Sequence, residues 1–588
     1  MQTTVLNERR PSSMLLMVLF GMLLFTSAAE ARQGGTLGDS DIRLYTFGGT
    51  VSLQSHGYSS TRVGNLREPL GGLATANLNF SVLGFSSGLN IRYSTDNSRL
   101  RQDMNEVSFN GGWRWVQLAA GDVSPGLNRY SLRGTRIRGA HLELTPGALR
   151  LEAAGGRVNR RVTGLDDSES AFGRSALRQS YERWLYAGRL GLGRKNGNHF
   201  YLGVVYAWDE DEELPEIEGG RPRPRPEENL LVSPDFQLSF FDRRFQIEAQ
   251  NAVSVFSRDT RAEALDLSEA GLPSFLEGIF TPRTSTRVNF ATQVQSRIDL
   301  SPLNLNLGFE RIQPGFRSMG LRNVNDDMQN ITVQPQLRLL QGRLNLSTNM
   351  RFGRDNILNQ RTATQRRTDF GLNAQTQITN NFSLSAGYNR LVNRTEISAP
   401  AGDDPTFDYP EQSVISQNFS IQPAYAWSEG SQTHAIAMSA NYQVLDVQID
   451  NSDRDLGNTF FSANGTYSLS FTSGLNFNTN LMMARGDAPA SDFRNWGLNV
   501  GVGHSFFDRK LSVNLNGGFA QNRTETEAGG ELRVQAQQQL TGNFTMMYRP
   551  IRSNTIRLTA RTINNQITEG AGRAFQELEV RLSISQRF

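Results

Sequence analysis

Histidines are the first residues to consider for chemistry, because imidazole binds metal ions and transfers protons near neutral pH. The chain has five, His56, His141, His199, His434 and His504, scattered singly through the sequence. No HExxH motif or other close spacing of metal ligands occurs. We therefore interpret them as surface residues of strands or loops, and the sequence predicts no metal site built on histidine.

Two further motifs could carry catalysis or phosphate binding. Ser505 follows His504, but adjacent residues of a strand point to opposite faces, so the two cannot form a nucleophile–base pair with each other. The glycines of "GRLGLGRKNG", residues 188–197, loosely resemble a phosphate-binding loop. No helical pattern follows them, so we interpret them as part of a strand and its turn. The sequence thus predicts no catalytic residue, no bound cofactor and no enzyme.

Acidic stretches are the remaining candidates for a binding site. "NVNDD" at 323–327 and "GDDPTFDYPE" at 402–411 could supply oxygen ligands to Ca²⁺, which takes six to eight of them. Ion pairs with Arg311, Arg317 and Arg322 explain the first stretch equally well, and we favour that interpretation. "DEDEELPEIE" at 209–218 runs into a proline- and arginine-rich stretch, which indicates an extended, solvated loop.

The composition limits the class of protein. The chain has 588 residues, no cysteine and a formal net charge of +3. Disulfides and thiolate chemistry are excluded, and a nearly balanced charge gives no reason to expect a nucleic-acid partner. Only 38% of the residues are hydrophobic, and no long apolar run follows the N-terminal segment. Membrane-spanning helices are therefore not expected.

The N-terminal segment predicts export from the cytoplasm. Arg9 and Arg10 precede an apolar run from Met14 to Ala29, and the small-x-small sequence Ala29-Glu30-Ala31 follows. This order is typical of a cleaved secretory signal peptide. The sequence therefore predicts a signal peptide over residues 1–31 and a single mature domain over residues 32–588.

Apolar and polar residues alternate throughout the mature domain. In "LNLNLGFER", Leu303, Leu305, Leu307 and Phe309 alternate with Asn304, Asn306, Gly308 and Glu310. The segments "RLNLSTNMRF", "LNFNTNL" and "KLSVNLNGGF" repeat the pattern. A period of two indicates β-strands with one apolar and one polar face.

Three features distinguish a membrane barrel from a soluble sandwich. Tight turns such as Pro146-Gly147, Asp242-Arg243 and Thr541-Gly542 alternate with long loops. Aromatic residues gather at strand ends, and the polar faces are rich in Asn, Ser, Gln and Arg, which suit a wet lumen. The long loops are predicted near residues 55–72, 159–180, 210–228, 258–283, 313–327, 354–364, 393–411 and 521–530.

The sequence therefore predicts an all-β fold, a closed antiparallel transmembrane β-barrel in the bacterial outer membrane. We expect about 26 strands, with a range of 22–26. Residues 543–563 are ambiguous, because they fit one strand broken at Pro550 or a hairpin that turns at residues 552–554. We expect the single strand, since it keeps the alternation of short and long connections.

One loop has a helical pattern. In "RDTRAEALDLSEAGLPSFL", residues 258–276, Ala262, Leu265, Ala270 and Leu276 could form an apolar helical face. We expect a loop helix that folds inward as a constriction. The candidate constriction residues are Leu265, Leu267, Pro273 and Phe275.

The C-terminal strand "ELEVRLSISQRF", residues 577–588, alternates and ends on an aromatic residue. It resembles the C-terminal assembly signal of Gram-negative outer-membrane proteins. The resemblance implies that Leu582, Ile584 and Phe588 are recognised by the barrel-assembly machinery. We expect this strand to pair antiparallel with residues 41–54 and to close the barrel.

Two internal stretches carry a further resemblance. "GDVSPGLNRYSLRGTRIRGAHLELTPGALRLEAAGGR", residues 121–157, is similar to large outer-membrane barrels of Bacteroidota and to strands of fimbrial ushers. "ERIQPGFRSMGLRNVNDDMQNITVQP", residues 310–335, resembles the same large barrels. The resemblance implies the architecture and assigns no activity.

The expected function follows from the size of the barrel. More than 20 strands enclose a lumen too wide to be filled by wall side chains, so a solute passes through it or another segment plugs it. We expect a wide pore for solute transport or export. The alternative is an usher-like scaffold for secretion or surface assembly that works with a periplasmic or secreted partner.

Overall fold

The computed structural model shows one closed sheet of 26 strands. The structure describes residues 45–63, 69–95, 105–163, 179–194, 197–212, 214–215, 223–271, 273–397, 411–450 and 457–588. The predicted fold class and strand count are confirmed. The predicted signal peptide, residues 1–31, lies outside the described residues.

All neighbouring strands pair antiparallel, in chain order. Their bounds are β1 (Tyr45–Ser60), β2 (Leu70–Val82), β3 (Phe85–Ser94), β4 (Glu106–Trp113), β5 (Val116–Val123), β6 (Ile137–Leu144), β7 (Leu149–Asn159), β8 (Arg183–Gly193), β9 (His199–Asp209), β10 (Glu228–Phe240), β11 (Phe245–Ser257), β12 (Thr286–Leu300) and β13 (Leu303–Ile312). The second half comprises β14 (Met328–Leu339), β15 (Leu344–Asp355), β16 (Ala363–Gln377), β17 (Phe382–Ile397), β18 (Gln412–Glu429), β19 (Gln432–Ile449), β20 (Asn458–Phe471), β21 (Asn476–Ala488), β22 (Ser491–Phe506), β23 (Leu511–Ala528), β24 (Glu531–Tyr548), β25 (Asn554–Glu569) and β26 (Phe575–Arg587).

The last strand closes the sheet on the first. β26 pairs with β1 from Thr50↔Arg587 to Ser60↔Glu577, and the Phe588 N–H donates to the Gly49 carbonyl at 3.0 Å. The predicted antiparallel closure is confirmed. The pairing begins further along β1 than the expected segment 41–54, because β1 continues to Ser60.

The two ends of the barrel differ. The connections that follow even-numbered strands contain two to five residues, and those that follow odd-numbered strands contain two to 28. Short turns at one end and longer loops at the other are typical of outer-membrane barrels, whose turns face the periplasm. The turns at Pro146-Gly147 and Asp242-Arg243 are confirmed, since both lie between strands at the short-turn end.

The two faces of the wall follow the alternation of the sequence. Leu307, Phe352, Leu481 and Leu515 are exposed on one face. Their polar neighbours in sequence lie on the other face, which surrounds the lumen. A closed sheet with an apolar outer band satisfies its backbone groups within lipid, so the chain is an outer-membrane protein.

Two predictions in the C-terminal part are wrong. Residues 543–563 form a hairpin and not one strand: β24 ends at Tyr548 and β25 begins at Asn554. Pro550 cannot donate to a ladder, so it lies in the turn. Thr541-Gly542 is not a turn but lies within β24, paired with Gly518 and Gly517 of β23. The two errors offset each other, which left the strand count correct.

The predicted loop at 521–530 is also wrong, because β23 continues to Ala528. The connection is Gly529-Gly530 alone, with φ of 65° and 82°. Two residues with positive φ make the tight hairpin turn that suits twisted strands, and glycine adopts them without strain. Sequence polarity suggested a loop where the wall rises as a tall hairpin.

Helical structure is confined to two 3-10 turns, Ser274–Leu276 and Leu340–Gly342, within the described part of the chain. The helix expected over 258–276 is therefore wrong apart from its last three residues. No helix among the described residues is long and apolar enough to cross a membrane.

Closure of the barrel can be tested with paired cysteines, since the chain has none of its own. Ser52 and Ser585 lie opposite each other on β1 and β26, in a pair that does not exchange backbone hydrogen bonds. We expect Ser52→Cys with Ser585→Cys to form a disulfide in assembled barrels, detected as a mobility shift that reductant reverses. The control is Ser52→Cys with Ser583→Cys, one diagonal step away. Equal cross-linking of both pairs would contradict the register.

Candidate functional site

Two connecting segments fold into the lumen and meet there. The first, residues 124–136, joins β5 to β6, and the second, residues 313–327, joins β13 to β14. Arg133 and Leu321 form a parallel bridge. Because the two connections start eight strands apart on a closed wall, they can touch only by crossing the inside of the barrel. We call them the lumen segments.

Short polar contacts hold the lumen segments together. The Thr135 hydroxyl donates to the Gly320 carbonyl at 2.7 Å, and the Ser318 hydroxyl donates to the Ser131 carbonyl at 2.6 Å. Gly320 lies so close to the Ser131 carbonyl that any Cβ there would collide with it. Glycine is therefore required at position 320 by the close approach of the two backbones.

An apolar core fixes the lumen segments to one side of the wall. Leu127, Tyr130, Leu132, Phe316 and Met319 of the segments pack against inward side chains of β8 to β12. The wall residues of this core are Leu185, Ala187, Val205, Ala207, Leu231, Ala252, Phe256 and Ala291. A lumen wall is normally polar, so this apolar patch on the inner face is a binding surface for the lumen segments.

Wall side chains also bond the backbone of the lumen segments. Arg189 donates to the Leu127 carbonyl at 2.6 Å, and Asn229 accepts from the Met319 N–H at 3.2 Å. Ser254 donates to the Arg317 carbonyl at 2.5 Å, and Gln250 accepts from the Arg129 N–H at 3.0 Å. These bonds satisfy backbone groups that would otherwise be buried without partners.

A buried charge row positions Arg189. Glu152 accepts from Arg189 at 2.5 Å and from Arg150 at 2.6 Å, and Arg150 also pairs with Glu143 at 2.5 Å. Arg189 and Arg150 lie over the Tyr201 ring at 5.1 and 5.7 Å. Charged groups removed from water are stable only when they are paired in this way, so these ion pairs hold the Arg189 guanidinium in position.

Glu310 of β13 is the polar anchor at the other side of the first lumen segment. It accepts from the Tyr130 hydroxyl at 2.8 Å, pairs with Arg129 at 3.0 Å and accepts from Asn330 at 3.4 Å. Burial and the neighbouring Glu310 carboxylate raise the pKa of Tyr130, so the phenol keeps its proton and remains a donor at neutral pH.

Residues 258–276, the predicted constriction, do not pack inside the lumen. Leu267, Leu276 and Phe280 pack against Tyr206, Leu230 and Val255. These wall residues alternate with Val205, Leu231 and Ser254, which face the lumen segments, so they lie on the outer face. The segment that contains Leu265, Leu267, Pro273 and Phe275 therefore covers the outside of the wall. Its apolar side chains match the apolar outer face better than a polar lumen.

Asp326 and Asp327 of the acidic stretch 323–327 bond to other groups of the protein. Asp327 accepts from the Ile357 N–H at 2.9 Å and pairs with Arg361 at 3.0 Å, and Asp326 accepts from the Gly315 N–H at 2.5 Å. The expected ion pairs with Arg311, Arg317 and Arg322 are not found among the described residues, because the arginine that pairs with Asp327 is Arg361 of the connection after β15. No group of three metal-ligating side chains occurs among the described residues. The stretch 402–410 lies outside them.

The remaining candidates follow the sequence interpretation. His504 packs edge-on against Phe506 at 4.4 Å on the outer face, whereas Ser505 points inward. Gly188, Gly191 and Gly193 lie on β8. Of the acidic loop, Asp211 pairs with Arg261 at 2.5 Å. None of these contacts forms a catalytic arrangement among the described residues.

Sequence reasoning missed the lumen segments, although both stretches were singled out for their resemblance. A signal was present. Val204-Val205 and Leu230-Leu231-Val232 are apolar on both faces, which is unnecessary for a wall with a wet lumen. Together with Leu132 and Phe316 in nominally polar loops, these runs point to an inner core.

No protein-family model matches the chain, and no curated protein matches it. Solved structures that are similar include the FrpB iron transporter from Neisseria meningitidis, with a TM-score of 0.35, 11% identity, and 92% of this chain and 81% of that chain covered. OccAB4 of Acinetobacter baumannii has a TM-score of 0.26 and 10% identity over 70% of this chain and 99% of that chain. The P pilus usher (PapC) translocation pore has a TM-score of 0.25 and 12% identity over 93% and 99%. They are outer-membrane barrels, and the narrower resemblance to Bacteroidota proteins has no support among them. These similarities are too low to assign a function.

The contact between the lumen segments can be tested at Gly320. In Gly320→Val the side chain collides with the Ser131 carbonyl, so we expect the two segments to separate. The free energy that holds them together should fall by about 2 kcal/mol, the contribution of two hydrogen bonds. Hydrogen–deuterium exchange should rise in residues 124–136 and 313–324 and stay slow in the strands. Gly517→Val is the matched control, because Gly517 has no neighbouring atom within 4 Å. Equal exchange in both variants would contradict the contact.

Proposed function

We propose that the chain is a solute-conducting channel of the outer membrane whose lumen is narrowed by the two lumen segments. The observation that carries the proposal is that both segments are seated on one sector of the wall. Their apolar core involves inward residues of β5, β6 and β8 to β13, which form one continuous sector of the wall. From β15 onward the inner face of the described wall is mostly polar, with Phe460 and Phe493 among the exceptions.

The dimensions support a conduit. Strands about 4.8 Å apart and tilted by about 40° give a circular barrel of 26 strands a diameter of roughly 50 Å. Two segments of 13 and 15 residues cannot fill such a cross-section. They narrow it, and a polar path remains beside them.

The polar anchor at Glu310 sets how firmly the first segment is held. Its bonds to Tyr130 and Arg129 join the segment to β13, while the apolar core holds it to β8 to β12. Release of either set would free the segment from this part of the wall and change the width of the constriction. The channel therefore has a constriction that a modest free energy can shift.

An usher-like scaffold for secretion or assembly is the alternative. A periplasmic or secreted partner would then displace the lumen segments, and the barrel would stay closed to solutes without it. The two functions differ in one observable property, because only the channel conducts ions as a purified protein.

The channel is tested at Glu310. Glu310→Gln removes the charge that holds Arg129, and a hydrogen bond to a charged group contributes about 1.5–3 kcal/mol. We expect the population with the segment displaced to rise roughly tenfold to a hundredfold, seen as additional or more frequent conductance levels in planar bilayers. Glu569→Gln removes a comparable pair with Arg523 on a distant strand and should have no effect. Silence of both the unaltered protein and the variant favours the scaffold.

We also propose that Leu582, Ile584 and Phe588 form the assembly signal for the barrel-assembly machinery. Leu582 is exposed on the outer face, and the Phe588 ring lies 6.1 Å from Phe47 of β1. The last residues thus complete the seam between the first and last strands.

Deletion of Phe588 should lower the amount of assembled barrel more than it changes the conductance of what assembles. The aromatic ring is the part expected to matter, so Phe588→Tyr should assemble normally. Assembly is measured as the heat-modifiable fraction in outer-membrane preparations. Normal assembly after the deletion would remove Phe588 from the signal.

A further inference from the structure

The inner face of seven consecutive strands carries no charged side chain. The wall residues that contact the lumen segments face inward, and the pairing register then identifies the inward residues of each following strand. In β17 to β23 these inward residues are Asn, Gln, Ser, Thr, Gly, Ala and a few apolar residues. The charged residues of these strands, such as Asp446, Arg485 and Glu525, all occupy outward positions. We call this inner face the neutral sector.

The neutral sector contrasts with the wall on either side of it. Arg367 and Asp369 face inward on the preceding strand, β16, and Arg533 faces inward on β24. The wall beneath the lumen segments contains Arg150, Glu152 and Arg189. A charge-free inner face over seven strands is therefore a property of one sector and not of the whole lumen.

Amide side chains form the centre of the neutral sector. Asn480 donates to the Asn464 amide oxygen at 2.7 Å and to the Thr466 hydroxyl at 3.0 Å, and Asn495 is bonded to Asn522. These bonds orient the amides along the wall. Each amide has two donor hydrogens and an acceptor oxygen, so part of its bonding capacity stays available to the lumen.

Glycines between the asparagines let these side chains lie flat. Gly501 of β22 is covered by Asn478 and Asn516 from its two neighbouring strands, and Gly503 is covered in the same way by Asn476 and Asn514. A Cβ at either glycine would collide with an amide oxygen. The sequence therefore keeps glycine where the amides spread across the wall. A cavity of about 310 Å³ at the edge of the neutral sector is lined by Asn499 and Asn516 and, on its other side, by Arg561 of β25.

Two phenylalanines face the lumen at the loop end of the same sector. Phe460 of β20 and Phe493 of β22 flank Gly486 in one register row, and Phe460 is 36% exposed. An added Cβ at Gly486 would lie 3.4 Å from the Phe460 ring, so the ring sits over the glycine. Aromatic faces at the entrance and amides below them form a graded surface from the loop end inward.

We propose that the neutral sector is a binding track for uncharged oligosaccharides, an inference that rests on the proposed channel. A sugar hydroxyl both donates and accepts, as an amide does, and the apolar face of a sugar ring packs on an aromatic ring. A charge-free wall gives no electrostatic attraction to ionic solutes. Polypeptides carry charged side chains that this wall would leave unpaired, so a neutral saccharide matches it better.

The experiment measures current blockades of the purified full-length channel in planar bilayers. The probe is maltohexaose, and hexagalacturonate is the charged oligosaccharide of equal length. We expect maltohexaose to produce resolved blockades and hexagalacturonate to produce at least tenfold fewer. Asn499→Leu and Phe460→Ala should each weaken maltohexaose blockade about tenfold, the equivalent of a lost contact, while the conductance stays unchanged. Asn306→Leu, inward on β13, is the matched control and should leave the blockade unaltered.

Four results would overturn the inference. Equal blockade by both hexasaccharides, or loss of blockade in Asn306→Leu to the same degree, removes the neutral sector as the track. Blockade by an uncharged, unfolded glycine–serine peptide without blockade by maltohexaose assigns the track to polypeptide. Absence of any conductance, in the unaltered protein and in Glu310→Gln, overturns the proposed channel and the track together.

Discussion

Backbone hydrogen bonding in hydrocarbon is the constraint on which the rest of this structure depends. Each unpaired N–H or C=O within lipid costs several kcal/mol, so the sheet cannot have an edge. The pairing of β26 with β1 removes the only edges that the chain order would leave. Once 26 strands are closed into one ring, the enclosed space is fixed by geometry. The wide lumen is a consequence of closure and strand number.

The lumen segments follow from that width. Wall side chains cannot bridge the interior, so any constriction has to come from connections, and a connection that enters the lumen needs apolar contacts to offset its lost freedom. Burial of a large apolar side chain contributes about 1.5–3 kcal/mol. Leu127, Leu132 and Phe316 supply such contacts, and the two-sided apolar strands β9 and β10 receive them. The apolar residues that hold the lumen segments therefore belong to the strands of the wall and not to the connections themselves.

The fold was largely predictable from the sequence, whereas the site was not. Alternation over two residues indicates the strands directly, because one face meets lipid and the other water. Inward folding depends on contacts between residues nearly 200 positions apart, such as Thr135 with Gly320, which no local pattern encodes. The segment with Leu267 shows the same limit. Its apolar pattern is visible in the sequence, but apolar side chains can pack on the outer face of the wall as well as inside the lumen. The side of the wall on which they lie follows only from their packing on Tyr206 and Leu230.

Strand length and connection length divide the barrel into two parts. β4 to β9 contain only eight to eleven residues, close to the length needed to span a membrane, and their connections include one lumen segment and two connections of 23 and 18 residues. β22 to β25 contain 16 to 18 residues and are joined at the loop end by two-residue and five-residue connections. In the part formed by β4 to β9, connections between strands narrow the lumen. In the part formed by β22 to β25, the strands are long enough to extend beyond the membrane. The neutral sector, β17 to β23, overlaps this second part at β22 and β23 and lies across the lumen from the strands that hold the lumen segments. A solute confined by the lumen segments would therefore meet the uncharged amides.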